Sequence, residues 1–317
     1  MALEWSTITE QDTAEWARLT NELAVADQTE EFYEPEDLAE ELEEPGVDPA
    51  RDTWAVREDG RLVAFGQVRI SDALRDGFAK AHLGGGVHPE HRRRGIGRAL
   101  MERLEDRARE LGGERHAGHP LLLDVWAGRP ESGAARMASV RGYEPARYFQ
   151  DMKVELGGWE VPAGAAPCPG VVFDPAHAEG IRRAHNEAFA DHWGSSARSP
   201  EKWAAQLKAR SFRPAYSRTV LSDDPGLDPE EAVDAYVLSG QWVPKELYVS
   251  LVGTRRRARG RGHAAALLTD VVRQAKEDGY ASVELGVDSD SPTGAVGLYE
   301  RVGFRRVRTN VVYSRRA

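Results

Sequence analysis

Apolar and polar positions along this chain follow helical and strand periods in turn, and the same succession occurs twice. In the first half, two stretches with helical spacing precede strand-like runs on either side of Asp59-Gly60, a pair that favours a hairpin turn. The pattern predicts helices over residues 14–23, 32–44 and 96–111, and strands over residues 53–56, 62–65, 81–87 and 121–125. We therefore predict a lobe in which helices cover a sheet.

The second half repeats this succession. Its pattern predicts helices over residues 181–190, 201–209 and 262–278, and strands over residues 233–238, 246–252 and 282–287. Aligning Gly95 with Gly260 matches the strands and long helices of the two halves, and a short gap then aligns Gly142-Tyr143 with Gly303-Phe304. We therefore predict an internal duplication and an α/β fold in each copy.

Each half also contains an arginine- and glycine-rich turn between a predicted strand and a predicted long helix. The two turns read Arg92-Arg93-Arg94-Gly95-Ile96-Gly97 and Arg257-Ala258-Arg259-Gly260-Arg261-Gly262. A helix N-terminus that follows a glycine turn binds anions, because its free N–H groups and the helix dipole point at one place. We therefore predict that both turns bind phosphate groups.

Length and composition set the outer limits. The 317 residues suffice for two domains, and residues 157–170 are rich in Gly, Pro and Ala, so we predict a first lobe over residues 1–156, a linker over 157–170 and a second lobe over 171–317. With 41% hydrophobic and 30% charged residues, the composition is that of a soluble globular protein. No apolar run is long enough to span a bilayer and no leader pattern opens the chain, so we expect no membrane partner and a cytoplasmic location.

The formal net charge of −10 argues against nucleic acid as a partner, so we expect the local arginine clusters to bind a small polyanion. The single cysteine, Cys168, cannot form an internal disulfide. Because the sequence shows no cluster of ligand residues, we expect no metal site.

The residues around both turns resemble those of GNAT acyltransferases. Val87-His88-Pro89, followed by the first turn and its helix, is similar to their coenzyme A loop. The run from Ala295 to Phe304 matches their downstream signature A-x-x-L-Y-E-x-x-G-F. Because both halves carry the loop, the chain resembles a tandem GNAT protein of the mycothiol synthase type, to which residues 186–190 and 246–249 are also similar.

This resemblance implies two lobes, each a mostly antiparallel twisted sheet flanked by helices, and acetyl transfer from acetyl-coenzyme A to a small primary amine. It implies that the strand before the second turn diverges from its neighbour, and that the backbone of Leu251 and Val252 pairs with the pantetheine arm. The pyrophosphate is then expected on Arg257, Ala258, Arg259, Gly260, Arg261, Gly262 and His263. The corresponding candidates in the first lobe are Val87, Arg92, Arg93, Arg94, Gly95, Ile96 and Gly97.

Tyr299, within the signature, is the candidate general acid. A phenol has a reference pKa of about 10 and a thiol one of about 8.5, so protonation of the leaving thiolate is uphill by only about 2 kcal/mol. The alternative interpretation of Tyr299 is an aromatic residue that packs in the core beside Leu298 and Phe304.

Glu246, at the start of the strand before the second turn, is the candidate general base. A free carboxylate (pKa about 4.3) is a poor base for an alkylammonium (about 10.4), so burial, a water relay or an acidified amine must help. The alternative is a solvated carboxylate at the end of a strand. Glu284 and Asp288 are reserve candidates for the base.

The first lobe lacks both groups, because the alignment places Ala138 opposite Tyr299 and Ala81 opposite Glu246. We expect this lobe either to bind acyl-coenzyme A without catalysis or to serve only the structure. The acidic segment 30–44 is expected to be a solvated face, with attraction of a cationic acceptor as the alternative. His185 and His192, near Trp193, are candidates for lining an acceptor pocket.

Two hypotheses of different class follow. The first is an N-acetyltransferase for a small amine, and the second is a sensor or scaffold that binds acyl-coenzyme A without turnover. A dinucleotide-binding oxidoreductase is disfavoured, because neither turn supplies the third glycine of that fingerprint. The acceptor stays open among a mycothiol precursor, peptide N-termini, aminoglycosides, amino sugars and polyamines, and the sequence does not indicate an oligomeric state.

Overall fold

The computed structural model describes residues 3–193, 195–291 and 294–317. The chain forms two compact units, the first made of residues 1–148 with 309–317 and the second of residues 149–308. These bounds differ from the predicted lobes: residues 149–156 and the predicted linker 157–170 belong to the second unit, and residues 309–317 belong to the first. No helix of the described residues is both long and apolar enough to cross a membrane.

The strands, in chain order, are β1 Leu3–Ser6, β2 Thr53–Glu58, β3 Arg61–Ile70, β4 Ala79–Val87, β5 Leu121–Trp126, β6 Glu144–Glu155, β7 Val171–Val172, β8 Arg218–Leu221, β9 Val233–Gly240, β10 Glu246–Thr254, β11 Ser282–Asp288 and β12 Arg305–Arg316. The α-helices, in chain order, are α1 Thr13–Asp27, α2 Pro35–Leu42, α3 Pro49–Asp52, α4 Ile96–Arg115, α5 Gly133–Val140, α6 Ala178–Ala188, α7 Pro200–Lys208, α8 His263–Glu277 and α9 Ala295–Val302.

In the first unit, β1, β2, β3 and β4 pair antiparallel in that order. β4 then pairs with β5 in parallel, but only from Ala79–Leu121 to Leu83–Val125. The last residues of β12 pair antiparallel with β5. The predicted hairpin between β2 and β3 is confirmed, with Asp59 and Gly60 both at positive φ, as a tight two-residue turn requires.

The second unit repeats this plan. β7, β8, β9 and β10 pair antiparallel in that order. β10 pairs with β11 in parallel only from Glu246–Ser282 to Tyr248–Glu284, and residues 149–155 of β6 pair antiparallel with β11. Both units are therefore mostly antiparallel sheets with one short parallel pair.

The core of the second unit lies mainly under α8 and α9. The buried side of α8 carries apolar residues three and four positions apart, which is why this stretch forms a helix packed on the sheet. It packs on Leu247 and Val249 of β10 and on Val283 and Leu285 of β11. On these strands the alternate residues Glu246, Tyr248 and Glu284 therefore point to the opposite face.

The acidic segment predicted as a helix over 32–44 is helical only as α2. Pro35 occupies the first turn of that helix, and Glu34 and Asp37 form a capping box that fixes its start. The strands β1, β7 and β8 and the long strands β6 and β12 were not among the predicted elements. Each is either very short or pairs with residues far away along the chain.

Candidate active site

The strands β10 and β11 separate at the centre of the second unit. Their parallel pairing ends at Tyr248–Glu284, and β10 carries an irregularity between Val249 and Leu251 where it faces β9. Beyond that point Leu251 and Val252 pair with β9. Beyond Tyr248, the side of β10 that faces β11 therefore has no paired strand among the described residues, and this is the place where the resemblance implies that the pantetheine arm pairs.

The arginine–glycine turn of the second unit starts two residues later than the sequence alignment placed it. Helix α4 follows Gly95 (φ +87°), and helix α8 follows Gly262 (φ +80°), so these two glycines are equivalent. Two residues earlier, Arg93 and Gly260 both have positive φ. The alignment of Gly95 with Gly260 is therefore wrong by two residues.

One arginine hydrogen bond occurs in the turns of both units and supports the equivalence of Gly95 and Gly262. In the first unit, the Arg92 Nε–H group donates to the Val87 carbonyl oxygen at 2.9 Å. In the second, the Arg259 Nε–H group donates to the Thr254 carbonyl oxygen at 3.4 Å. The turn of the second unit is therefore Arg259 to Gly262, followed by His263 and Ala264 at the start of α8. The sequence alignment missed Ala264.

The other predicted coenzyme residues have separate surroundings. Arg257 and Ala258 lie in a one-turn 3-10 helix before the turn, where the Arg257 Nε–H group donates to Asp234 Oδ1 at 2.7 Å and Ala258 is buried. In the first unit, Arg92 pairs with Asp27 and Arg94 pairs with Glu58, each through two hydrogen bonds. By contrast, Arg261, which corresponds to Arg94, is exposed and forms no ion pair with any residue that the structure describes.

The turn of the second unit has the electrostatics of an anion site. Gly260 and Gly262 are exposed and hold φ near +80°, which glycine adopts without strain. A Cβ at either position would meet nothing within 4 Å, so the space beside the turn is open. The first N–H groups of α8, a 15-residue helix, face this space without partners inside the helix. The turn can therefore bind a pyrophosphate mainly through its main chain.

Tyr299 lies on α9 and is only 8% exposed. Its ring packs beside Phe304, with centroids 6.1 Å apart, and belongs to the core of the second unit. Burial raises the pKa of Tyr299 to about 12. Among the described residues none hydrogen-bonds the Tyr299 hydroxyl. The ring thus has the packing of a core residue, while the hydroxyl retains its proton and its donor capacity.

The end of α9 is fixed by local contacts. Gly303 follows the helix at φ +114°, and the Trp159 indole N–H group donates to the Val302 carbonyl oxygen at 2.8 Å. A Cβ at Gly303 would come within 3.0 Å of the Trp159 ring. Trp159 comes from the predicted linker, so this segment packs on the second unit and holds the helix that carries Tyr299.

Glu246 and Glu284 face the same side of the sheet and share a lysine. The Lys153 ammonium lies 2.6 Å from Glu284 Oε1 and 3.7 Å from Glu246 Oε1. The side chain of Glu246 is 39% exposed and that of Glu284 is 15% exposed. The third candidate, Asp288, ends β11 and accepts the Asp290 N–H group at 3.0 Å. The structure therefore brings the candidate base and one reserve candidate to the same cation.

Lys153 was missed by sequence reasoning. The alternation of Asp151, Lys153 and Glu155 with apolar Met152 and Val154 is a period-two signal for a strand with one polar face. That signal could have predicted β6, although not its partner β11. Lys153 pairs in register with Glu284, which in turn pairs with Tyr248.

The same face also carries aromatic side chains, those of Tyr248 and Trp242. The Tyr248 hydroxyl lies 3.0 Å from the place where a Cβ of Gly286 would stand, so the glycine makes room for this phenol. The Trp242 ring meets Tyr248 edge to face, with centroids 5.8 Å apart. Further along β6, Asp151 accepts the Arg308 Nε–H group at 2.7 Å. The face thus offers carboxylates and aromatic edges to a polar amine.

His185, a candidate for lining an acceptor pocket, is instead a buried residue of an aromatic cluster. Its Nδ1 lies 2.7 Å from the Tyr236 hydroxyl oxygen, and its ring stacks on Phe189 with centroids 4.5 Å apart. Burial lowers the pKa of His185 to about 3. His192 packs on the other side of Phe189, with centroids 4.6 Å apart. His185 is therefore neutral at physiological pH.

The first unit has neither candidate catalytic group. The Tyr143 N–H group donates to the Ala138 carbonyl oxygen, as the Phe304 N–H group donates to that of Tyr299, so the pairing of Ala138 with Tyr299 is confirmed. The pairing of Ala81 with Glu246 is wrong.

Strand register gives the correct counterpart of Glu246. β4 pairs with β3 without the irregularity of β10, so Lys80 takes the place of Glu246 and lies 3.9 Å from Asp124. The first unit therefore has an ammonium where the second has its candidate base.

Comparison with known proteins agrees with this architecture. The family model described as "Acetyltransferase (GNAT) family" matches residues 13–120 and 179–304. A protein of Geodermatophilus obscurus named mycothiol acetyltransferase is 32% identical over 299 residues, which cover 86% of this chain and 85% of that protein.

Two solved structures share the fold over nearly the whole chain. One is a GCN5-related N-acetyltransferase from Sphaerobacter thermophilus, with a TM-score of 0.74, 24% identity and coverage of 99% of this chain and 95% of that one. The other is a tandem GNAT protein from the clavulanic acid biosynthesis pathway, with a TM-score of 0.66, 20% identity and coverage of 99% and 98%. The expected fold class, tandem sheets flanked by helices, is confirmed.

Proposed function

This chain belongs to the acetyltransferase (GNAT) family, whose members use acetyl-coenzyme A as co-substrate, and we propose that its second unit acetylates the primary amine of a small molecule. The observation that carries the proposal is the set of three features on one unit: an anion-binding turn, a strand edge open beyond Tyr248, and the buried phenol of Tyr299.

In this proposal the turn binds the pyrophosphate of acetyl-coenzyme A. The N–H groups of Gly260, Gly262 and His263 face the phosphates, and exposed Arg261 adds a positive charge. The arm then runs along Leu251 and Val252, which face the opening between β10 and β11. This path leads the thioester toward the sheet centre, where Tyr248 and Glu284 end the parallel pairing.

The chemical step is direct attack of the amine nitrogen on the acetyl carbonyl carbon. A carbon–nitrogen bond forms, the carbon–sulfur bond breaks, and the sulfur leaves with the electron pair. Tyr299 donates its phenolic proton to this sulfur. Its hydroxyl is available for this because it keeps its proton at neutral pH and forms no hydrogen bond with any described residue. Glu246 receives the proton that the amine loses, directly or through water.

For the acceptor, the curated relative supports a specific first choice. The protein of Geodermatophilus obscurus that aligns over most of this chain is named mycothiol acetyltransferase, so we propose the amine precursor of mycothiol as the first substrate to test. The carboxylates of Glu246 and Glu284 suit an acceptor that arrives as an ammonium ion. Amino sugars, aminoglycosides, polyamines and peptide N-termini are the competing acceptors.

The experiment is a thiol-release assay with purified protein, acetyl-coenzyme A and a panel of these amines. Release of free coenzyme A with one amine, and its strong loss in Tyr299→Phe, supports the proposal. Binding of acetyl-coenzyme A without thiol release from any amine overturns it. Turnover that survives in Tyr299→Phe but disappears in a variant of the first-unit turn would place catalysis in the first unit and would also overturn the proposal.

A further inference from the structure

Three neighbouring strands of the second unit place charged side chains in one row. Tyr248 of β10 pairs with Glu284 of β11, and Glu284 pairs with Lys153 of β6. Glu246 lies two residues before Tyr248, on the same face of β10. The Lys153 ammonium therefore reaches both carboxylates, at 2.6 Å from Glu284 and 3.7 Å from Glu246.

The other charged groups around this lysine come from the same strands. On β6, Glu155 lies 4.0 Å from the ammonium but is mostly exposed, and Asp151 is paired with Arg308. On β10 the phenol of Tyr248 faces the row, and on β11 Glu284 is the nearest acid. Within the described part of the chain, Lys153, 18% exposed, is thus the cation that lies against the candidate base.

We propose that Lys153 is a positioning residue that offsets the charges of Glu246 and Glu284, so that the acceptor amine can lose its proton at neutral pH. This inference rests on the proposed acetyl transfer. It adds a function for a residue on β6, a strand whose residues 149–155 pair with β11 of the second unit.

The physical argument concerns the charge of the bound amine. Two carboxylates without a cation attract an ammonium ion and raise its pKa, which keeps the nitrogen lone pair from attacking. An ammonium at 2.6 to 3.7 Å from both carboxylates weakens that attraction. The acceptor is still drawn to the site, but its proton is lost at lower pH than beside two uncompensated carboxylates.

Lys153 itself is unsuited to be the base. Burial alone would lower the pKa of Lys153, but its hydrogen bond to Glu284 and the charges of Glu284 and Glu246 raise it above the ordinary value. The group is therefore an ammonium at neutral pH and cannot accept a further proton.

The first unit offers an internal comparison. There Asp124 occupies the place of Glu284, Ser314 pairs with it in place of Lys153, and Lys80 stands in place of Glu246. The Ser314 hydroxyl donates to Asp124 Oδ1 at 2.5 Å. A lysine on the third strand together with two carboxylates occurs only in the unit that also carries Tyr299, as far as the described residues show.

The test is the pH dependence of kcat/KM for Lys153→Met, Lys153→Gln and Lys153→Arg. We expect the ascending limb of the profile to move to higher pH by about one unit or more in Lys153→Met and Lys153→Gln, because opposite charges within about 4–6 Å favour the charged form of a group by about 1–3 pKa units and the two carboxylates then act on the amine without a cation. Lys153→Arg should stay close to the wild type. Lys208→Met, which removes an exposed lysine at the end of α7, is the matched control and should leave the profile unchanged.

A loss of activity in Lys153→Met and Lys153→Gln that is the same factor at every pH would overturn the inference, because it would indicate a structural role only. Carboxyl ¹³C NMR titration of the substrate-free protein separates this inference from the proposed function. Glu284, which lies 2.6 Å from the Lys153 ammonium, should titrate at higher pH in Lys153→Gln than in the wild type. Identical titrations would overturn the inference even in a protein without turnover, whereas shifted titrations in an inactive wild type would count only against acetyl transfer.

Discussion

Replacing Tyr299 by phenylalanine removes a single oxygen atom from the candidate active site. The ring keeps its packing against Phe304, and the lost hydroxyl has no hydrogen-bond partner among the described residues. We therefore expect the free energy of unfolding to change by less than about 1 kcal/mol, since no buried partner is left unsatisfied. Any large loss of activity in Tyr299→Phe then reports on chemistry.

The magnitude follows from the proton affinity of the two groups. Burial raises the pKa of Tyr299 to about 12. Against a thiol at its reference pKa of about 8.5, this makes the proton transfer uphill by about 5 kcal/mol. A thiolate that forms beside the same core is also poorly solvated, so its own proton affinity rises and the gap narrows. Without the phenol this thiolate leaves unprotonated, and we expect kcat to fall by about 10²–10⁴-fold.

The assay measures free thiol under saturating acetyl-coenzyme A and amine, with thermal unfolding of each variant as a check on folding. Tyr280→Phe is the control. It removes another phenol of the same unit, one whose hydroxyl donates a hydrogen bond to Gln241. We expect KM for acetyl-coenzyme A in Tyr299→Phe to stay within about threefold of the wild type. A kcat within twofold of the wild type would refute the acid role.

Three further predictions concern other parts of the second unit. Glu246→Gln should lower kcat/KM by about 10²-fold at pH 7, measured by thiol release, and an unchanged value would move the base role to another group. Gly262 is held at φ +80°, so Gly262→Ala introduces about 1 kcal/mol or more of backbone strain, and KM for acetyl-coenzyme A should rise about fivefold or more. The control Gly118→Ala changes a glycine at φ +79° in an open turn of the first unit and should leave this KM unchanged. Burial lowers the pKa of His185 to about 3 in the folded state, whereas a histidine in the unfolded chain has a pKa of about 6.5. The unfolded state therefore takes up a proton first as the pH falls, and the free energy of unfolding should drop by about 2 kcal/mol between pH 7 and pH 5. In urea unfolding, His185→Asn should show a clearly smaller drop, and an equal drop would assign the acid sensitivity elsewhere.

Local chemistry made much of the fold predictable. Asp59-Gly60 specifies its own hairpin, and the glycines that precede α4 and α8 mark the start of each helix. The long amphipathic helices and the strands before them were therefore predicted close to their observed bounds. The signature helix was also identified, because Tyr299 and Gly303 keep their spacing to Phe304.

The errors arose where geometry is not local. Arg93 adopts a positive φ that its residue type rarely takes, so the sequence did not show that it is equivalent to Gly260. The corrected turn places Ala79 opposite Glu246, and the irregularity in β10, which β4 lacks, then moves its counterpart to Lys80. Both features shift the alignment by one or two residues, and only the strand pairing reveals them.

The contacts of Lys153 could not be predicted from the sequence for a different reason. Its neighbours Glu246 and Glu284 are brought to it by the pairing of β6 with β11, two strands separated by most of the second unit along the chain. Residues 149–156 belong to the second unit and residues 309–317 to the first, and strand pairing within each unit determines this assignment. A period-two pattern predicts a strand but does not specify which edge it joins.

The position of the coenzyme sulfur in a complex with the protein tests the central claim most directly. A crystal structure with coenzyme A should show the pyrophosphate on the N–H groups of the turn from Arg259 to Gly262, and the sulfur within about 3.5 Å of the Tyr299 hydroxyl. An empty turn in the second unit, or a sulfur atom that lies away from this phenol, would contradict the account.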